Sequence, residues 1–224
     1  MNTSFARIKV CLELEKSGVI PIFYNSSLET SIQIIKSCYE GGFRAIEFTN
    51  RGDFAHEIFS ELSKYVQKVF PEMILGAGTI IEPHTAALFI QLGAKFIVSP
   101  LLNEDMAKIC NRRKTLWIPG CATVSEISKA EELGCEMIKM FPAREIGGIE
   151  FLKNMKQVSP KSNFMITGGV VPDEENLRLW FNTGATCIGI GSNLIKKEIL
   201  EANDFDTLRI NAEKLIQTIA KSRN

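Results

Sequence analysis

The sequence predicts an α/β fold, a (β/α)8 TIM barrel with an extra N-terminal helix. Two observations lead to this prediction. Eight short apolar runs recur along the chain, and segments with helical periodicity separate them. Each run is also too apolar to leave one strand face in water, which is typical of parallel strands covered by helices. An open doubly wound sheet is the alternative, and the count of eight units favours the closed barrel.

The predicted N-terminal helix covers Thr3 to Lys16. The eight predicted strands follow at residues 19–25, 45–50, 73–79, 96–100, 116–121, 136–142, 164–170 and 187–193. Two of the helices between them begin with the spacing of a reciprocal capping box, Ser26-x-x-Glu29 and Thr123-x-x-Glu126. Most of the predicted helices are followed by glycine, as helix C-termini often are.

The composition indicates one globular unit without an excess of either charge. The 224 residues are 45% hydrophobic, so we expect a single domain over residues 1–224. Lys and Arg number 26, as do Asp and Glu, which argues against a nucleic-acid or membrane partner. No run resembles a signal peptide or a membrane span, and the six cysteines are scattered, so we expect a reduced, cytoplasmic protein. The two histidines, His56 and His84, lie in predicted helices, which makes a histidine-based metal site unexpected.

A lysine interrupts the sixth apolar run. Side chains alternate along a strand, so Met137, Lys139 and Phe141 share one face. Burial disfavours the charged ammonium, and a neutral amine attacks carbonyls, which makes Lys139 a candidate Schiff-base nucleophile. The alternative is that Lys139 reaches water from the strand end or pairs with a carboxylate.

The second strand carries charges on one face. Glu47, Thr49 and Arg51 alternate with apolar residues and are expected to point into the barrel mouth. Glu47 is either a neutralising partner for Arg51 or Lys139, or a general acid/base beside the amine. Arg51 is suited to a bidentate grip on a substrate carboxylate.

Small residues end three other strands. Gly76-Ala77-Gly78-Thr79 leaves room for a ligand, although glycines in strands also mark bulges. Strands seven and eight end in Thr167-Gly168-Gly169 and Gly189-Ile190-Gly191-Ser192, where exposed N–H groups often hold phosphate in barrel enzymes. Together these features suit the retro-aldol cleavage of a phosphorylated keto acid.

With these motifs in order, the chain resembles the class I aldolases that act on 2-keto-3-deoxy-6-phosphogluconate and 4-hydroxy-2-oxoglutarate. The resemblance implies an (α/β)8 barrel, a homotrimer, a small 2-keto acid substrate, and no metal or other cofactor. It rests on Glu47-x-Thr49-x-Arg51, Gly76-Ala77-Gly78-Thr79, Ser99-Pro100, Pro119-Gly120 with Thr123-Val124-Ser125-Glu126, Lys139-x-Phe141-Pro142-Ala143, Thr167-Gly168-Gly169 and Gly191-Ser192.

By position, the resemblance implies that Lys139 forms the Schiff base and Glu47 transfers protons. The other implied roles are carboxylate binding by Arg51, Thr79 and Pro100, pocket lining by Phe141 and Thr167, and phosphate binding by Gly168, Gly169, Gly191 and Ser192.

Three positions depart from the family pattern: Leu101 where glycine is usual, Met140 where an aromatic residue is usual, and Arg144 where an acid is common. Arg144 is either an additional anion contact or a solvated loop residue. The alternatives for the whole protein are an aldolase for 2-keto-3-deoxy-6-phosphogalactonate, a phosphate-binding barrel isomerase or synthase without a Schiff base, and a non-catalytic sensor.

Overall fold

Parallel strands and helices alternate along the chain, so the predicted fold class is confirmed. The computed structural model describes residues 6–223. The strands are β1 (Val19–Phe23), β2 (Ala45–Thr49), β3 (Ile74–Gly78), β4 (Phe96–Val98), β5 (Leu116–Ile118), β6 (Gly120–Cys121), β7 (Ile138–Met140), β8 (Phe164–Thr167) and β9 (Cys187–Ile190). The helices are α1 (Arg7–Ser17), α2 (Leu28–Glu40), α3 (Ala55–Val69), α4 (Pro83–Gln91), α5 (Glu104–Arg113), α6 (Val124–Glu132), α7 (Gly148–Val158), α8 (Glu174–Thr183), α9 (Lys197–Glu201) and α10 (Phe205–Ser222).

The eight predicted runs give nine strands because Pro119 divides the fifth run. All nine belong to one sheet with the order β5-β4-β3-β2-β1-β9-β8-β7-β6. The two strands at the ends of this order, β5 and β6, flank Pro119, which has no N–H to donate to a ladder. The segment around Pro119 therefore connects the two ends of the sheet, and the barrel closes there. The Lys139 N–H donates to the Pro119 carbonyl at 2.8 Å, which ties the break to β7.

The predicted helix starts are confirmed at α6 and are wrong at α2. At α6, Thr123 and Glu126 form the reciprocal capping box. At α2 the cap is Ser27 rather than Ser26, and its hydroxyl accepts from the Thr30 N–H at 3.2 Å. The Asn25 side chain accepts from the Ser27 N–H at 2.8 Å, and this turn moves the start by one residue.

The extra N-terminal helix is present as α1 and closes the bottom of the barrel. Residues 3–5 of its predicted range lie outside the described residues. Val10 and Leu14 are fully buried and pack with the inward residues of the strand starts, such as Ile20 and Phe96. A second, larger core lies between the sheet and the outer helices. Apolar packing thus fills the N-terminal half of the barrel interior and leaves the C-terminal half to polar side chains.

No helix within residues 6–223 has the length and apolar character to cross a membrane.

Candidate active site

Polar side chains occupy the C-terminal half of the barrel interior, and glycines on neighbouring strands leave the space that two of them, Glu47 and Thr167, fill. Glycine has no side chain, so it leaves space for the neighbouring polar group. A Cβ added to Gly78 would lie 1.7 Å from Glu47 Oε1, and one added to Gly189 would lie 2.5 Å from Thr167 Oγ1. The register pairs are Glu47 with Gly76, Thr49 with Gly78, Lys139 with Gly120, and Thr167 with Gly189.

Lys139 lies inside the barrel and not in bulk water. Only 7% of the residue is exposed, and its Nζ lies 4.7 Å from the centroid of the Phe141 ring. Burial lowers the pKa of Lys139; the Glu47 carboxylate opposes this shift, and the Arg51 guanidinium adds to it. A larger fraction of the amine is therefore neutral near physiological pH than for an exposed lysine.

Glu47 is enclosed even more completely, with 1% of the residue exposed. Its Oε2 has no hydrogen-bond partner within the part of the chain that the structure describes. Burial raises the pKa of the Glu47 carboxyl, while the positive charges of Lys139 and Arg51 oppose the shift. The pKa values of Glu47 and Lys139 are thus shifted toward each other, which favours proton exchange between them.

A cavity of about 490 Å³ opens at the C-terminal ends of the strands, above Lys139. This volume is suited to a small metabolite. Lys139 and Arg51 line the cavity, and no described carboxylate does. Thr167 also lines it, and the Thr167 Oγ1 is a buried oxygen without a partner among residues 6–223. Arg51 therefore gives the cavity lining a positive charge, and Thr167 gives it a free hydroxyl for a polar ligand.

Arg51 lies at the mouth of this cavity. The residue is exposed, and its Nε donates to Thr79 Oγ1 at 3.4 Å. In the described chain its guanidinium forms no ion pair, so its charge is available to an anion. Thr79 holds this position with a left-handed backbone (φ 57°), a conformation that costs a non-glycine residue roughly 1–3 kcal/mol.

Two glycine-containing loops follow the adjacent strands β8 and β9 and line the same cavity. Gly168 and Gly169 both have positive φ, at 99° and 79°, where a residue with a Cβ would be strained. Within residues 6–223, the backbone N–H groups of Gly168, Gly169, Ser192 and Asn193 have no hydrogen-bond acceptor. Converging free N–H groups of this kind form anion-binding concavities.

The structure brings most of the predicted site residues together. The cavity is lined by Arg51, Lys139, Phe141, Thr167, Gly168, Gly169, Gly191 and Ser192. Glu47 lies just beneath this lining. Thr79 and Pro100 do not line the cavity: Thr79 contacts Arg51, and the Pro100 carbonyl packs where a Gly120 side chain would stand.

Two polar lining residues, Tyr24 and Asn193, were not predicted from the sequence. Tyr24 follows β1, and its hydroxyl would lie 2.1 Å from a Cβ on Gly52. Asn193 follows Gly191 and Ser192, and its Nδ2 donates to the Val170 carbonyl at 2.7 Å, which joins the two glycine loops. Both residues follow the C-terminal end of a strand, where barrel enzymes have their active sites. Examining the residues after every predicted strand would therefore have identified them.

Comparisons with known proteins agree on one family. A family profile described as "KDPG and KHG aldolase" matches residues 10–211. The KHG/KDPG aldolase of Escherichia coli (strain K12) is 32% identical over 204 residues, covering 91% of this chain and 93% of that protein.

Two solved structures share the architecture at 26% sequence identity and a TM-score of 0.82 each. One is the KDPG aldolase of Legionella pneumophila with pyruvate captured as a covalent carbinolamine intermediate, covering 91% of this chain and 96% of that one. The other is the 2-keto-3-deoxy-6-phosphogluconate aldolase of Zymomonas mobilis ZM4 with 3-phosphoglycerate, covering 94% and 96%.

Proposed function

The chain belongs to the KDPG and KHG aldolase family, and from that premise we propose that it is a class I aldolase acting through a Schiff base on Lys139. The proposed reaction cleaves 2-keto-3-deoxy-6-phosphogluconate (KDPG) to pyruvate and glyceraldehyde 3-phosphate. Cleavage of 4-hydroxy-2-oxoglutarate (KHG) to pyruvate and glyoxylate is the related activity of the same site. The aldolase relatives place the chain among the lyases.

One observation carries the proposal: Lys139 is a buried lysine with a lowered pKa that lines a cavity, and it interacts electrostatically with the buried Glu47 carboxyl, whose pKa is raised. An amine of this kind is the nucleophile of imine-forming enzymes. The covalent carbinolamine in the Legionella pneumophila relative supports the same chemistry.

In the first half of the reaction, the neutral Lys139 Nζ attacks the ketone carbon of the substrate. Proton transfer through Glu47 allows the hydroxyl of the resulting carbinolamine to leave as water, which produces a protonated imine. The positive imine nitrogen then accepts the electron pair released when a carbon–carbon bond breaks.

In the second half, the Glu47 carboxylate takes, directly or through a water, the proton from the hydroxyl two carbons beyond the imine carbon. The bond between the intervening carbon and the hydroxyl-bearing carbon breaks, an aldehyde leaves, and the electron pair forms an enamine on Lys139. Protonation of the enamine and hydrolysis of the imine release pyruvate and restore the amine. General acid/base catalysis of this kind contributes roughly 10²–10⁴-fold to a rate.

The charges of the cavity support an anionic substrate. Arg51 is suited to the carboxylate next to the ketone, and the free N–H groups of the glycine loops are suited to a terminal phosphate. The Zymomonas mobilis relative was solved with 3-phosphoglycerate, which carries both kinds of anion. A 2-keto-3-deoxy-6-phosphogalactonate substrate has the same groups and differs only in stereochemistry.

The family resemblance also leads us to propose a homotrimer, to be tested by light scattering on the purified protein. All six cysteine thiols are free, which supports the proposal of a reducing, cytoplasmic location.

The proposed function is tested by trapping the imine. Borohydride added with pyruvate should reduce a covalent adduct onto Lys139, located by peptide mass spectrometry. Lys139→Met should abolish both the adduct and cleavage, while Lys153→Met, at an exposed lysine on α7, should change neither. Glu47→Gln should fold normally and lower turnover by about 10²–10⁴-fold.

Two results would contradict the proposal. An adduct on another residue, or full cleavage by Lys139→Met, would remove the Schiff base from the mechanism. Loss of activity on treatment with EDTA would instead favour a metal-dependent isomerase or synthase on the same barrel.

A further inference from the structure

Arg144 lies beside the glycine loop that follows β8, in the segment that joins β7 to α7. The Ala143 N–H donates to the Thr167 carbonyl at 3.0 Å, which fastens this segment to the end of β8. A Cβ added to Gly169 would lie 2.6 Å from Arg144 Cβ and 3.3 Å from Arg144 Nε. The Arg144 side chain therefore lies across Gly169, a residue that lines the cavity.

The guanidinium of Arg144 has no partner that would explain this position. Among residues 6–223 it forms no ion pair and no side-chain hydrogen bond, and the neighbouring Glu145 does not pair with it. The residue is exposed, so water solvates its guanidinium and the charge needs no ion-pair partner. The unpaired cation thus stands next to Gly169, whose backbone N–H, like that of Gly168, has no acceptor in the described chain.

On the basis of the proposed function, we propose that Arg144 binds the terminal phosphate of the substrate and sets the preference for phosphorylated 2-keto acids. A guanidinium forms two parallel hydrogen bonds to phosphate, and the backbone N–H groups of the glycine loops supply the remaining donors. The flexible Arg144 side chain pivots about its packed Cβ to close over the phosphate from the rim of the cavity. The carboxylate end of the substrate lies on the other side, at Arg51.

Charge supports a phosphate dianion as the preferred occupant. Lys139 and Arg51 are the charged residues of the described cavity lining, and they face the ketone and carboxylate of the substrate. The Arg144 guanidinium adds a positive charge at the far end, which suits a ligand that carries both a carboxylate and a phosphate. An unphosphorylated sugar acid has no charge at that end and gains nothing from Arg144.

The test compares a phosphorylated 2-keto-3-deoxy acid with its unphosphorylated form for the wild type, Arg144→Ala and Arg144→Lys. Arg144→Ala should raise the KM for the phosphorylated acid by about 10- to 100-fold, the loss expected for a charge-assisted hydrogen bond. Its kcat, and both constants for the unphosphorylated acid, should stay within about twofold of the wild type. Arg144→Lys should have a KM for the phosphorylated acid between those of the wild type and Arg144→Ala, because lysine keeps the positive charge but cannot form the two parallel hydrogen bonds of a guanidinium.

Arg113→Ala is the matched control. It removes the same charge from an exposed arginine at the end of α5, at the opposite end of the barrel. It should leave the KM for the phosphorylated acid unchanged. If the loss of net charge alone raises the KM for the phosphorylated acid, the KM will rise equally in Arg144→Ala and Arg113→Ala. That result would overturn the role of Arg144.

Inorganic phosphate binding, measured by calorimetry, tests Arg144 without any cleavage. Arg144→Ala should weaken phosphate binding relative to the wild type and to Arg113→Ala, and equal affinities would refute the inference. A wild type that binds phosphate through Arg144 but neither cleaves keto acids nor traps pyruvate would refute the proposed function alone. Normal trapping and cleavage with an unchanged KM in Arg144→Ala would refute only the role of Arg144.

Discussion

Gly78→Ala tests whether the position of the Glu47 carboxyl controls turnover. Gly78 lies on β3, on the inward face next to Glu47, and its backbone φ is not in the left-handed region. Alanine is therefore acceptable to the backbone at this position, and its effect comes from the added methyl group alone.

The size of the effect follows from three distances. The added Cβ would lie 1.7 Å from Glu47 Oε1, 2.4 Å from its carboxyl carbon and 2.8 Å from its Cγ. Normal contacts between nonbonded heavy atoms begin near 3.5 Å, so the carboxyl must move by roughly 1.5–2 Å. A displacement of about 1 Å in a catalytic group costs on the order of 10²-fold in rate. We therefore expect kcat to fall at least ~10²-fold, and the free energy of unfolding to fall by about 1–3 kcal/mol from overpacking.

Pyruvate release measures kcat, and denaturant unfolding measures stability. Gly76→Ala is the matched control, because its added Cβ would lie 2.2 Å from the Phe96 ring and would overpack the same barrel one layer lower. It should lose comparable stability with a much smaller loss of kcat. In a Glu47→Ala background, Gly78→Ala should cost no further activity, since both changes act through one carboxyl. Near wild-type kcat in Gly78→Ala, or equal losses in the two alanine variants, would refute this reasoning.

Two further predictions concern the charges of the site. Burial lowers the pKa of Lys139 in the folded protein below the value of 10.5 that an exposed lysine has. At a pH between these two pKa values, Lys139 is protonated in the unfolded chain and neutral in the folded protein. In a Glu47→Gln background, Lys139→Met should therefore raise the free energy of unfolding by about 1.4 kcal/mol per pKa unit of the shift. This gain should be full below the folded-state pKa and disappear as the pH rises to 10.5; a gain that grows with pH in denaturant titrations would contradict it. Arg51→Ala should raise the KM for every 2-keto acid, phosphorylated or not, by about 10- to 100-fold, whereas a change confined to phosphorylated substrates would exclude Arg51 as the carboxylate contact.

Local patterns in the sequence were sufficient to predict the barrel and the faces of its strands. Alternation placed Glu47 and Lys139 inside, and both are buried there. The capping box at Thr123 was likewise readable, because a helix start depends on neighbouring residues only. The start of α2 was missed by one residue, since the side chain of Asn25 holds a turn that competes with the predicted box.

Features that depend on contacts between distant segments were decided only by the tertiary structure. The sheet order places three strands between β2 and β7, so Glu47 and Lys139 influence each other across the interior of a closed barrel. The packing of Arg144 on Gly169, and the space that Gly78 and Gly189 leave for Glu47 and Thr167, likewise follow from strand register and barrel closure. Alternation along a strand is a local property, whereas register and closure are set by packing of the whole barrel. For this reason the sequence alone determined which side chains enter the barrel, and only the folded chain determined which of them meet.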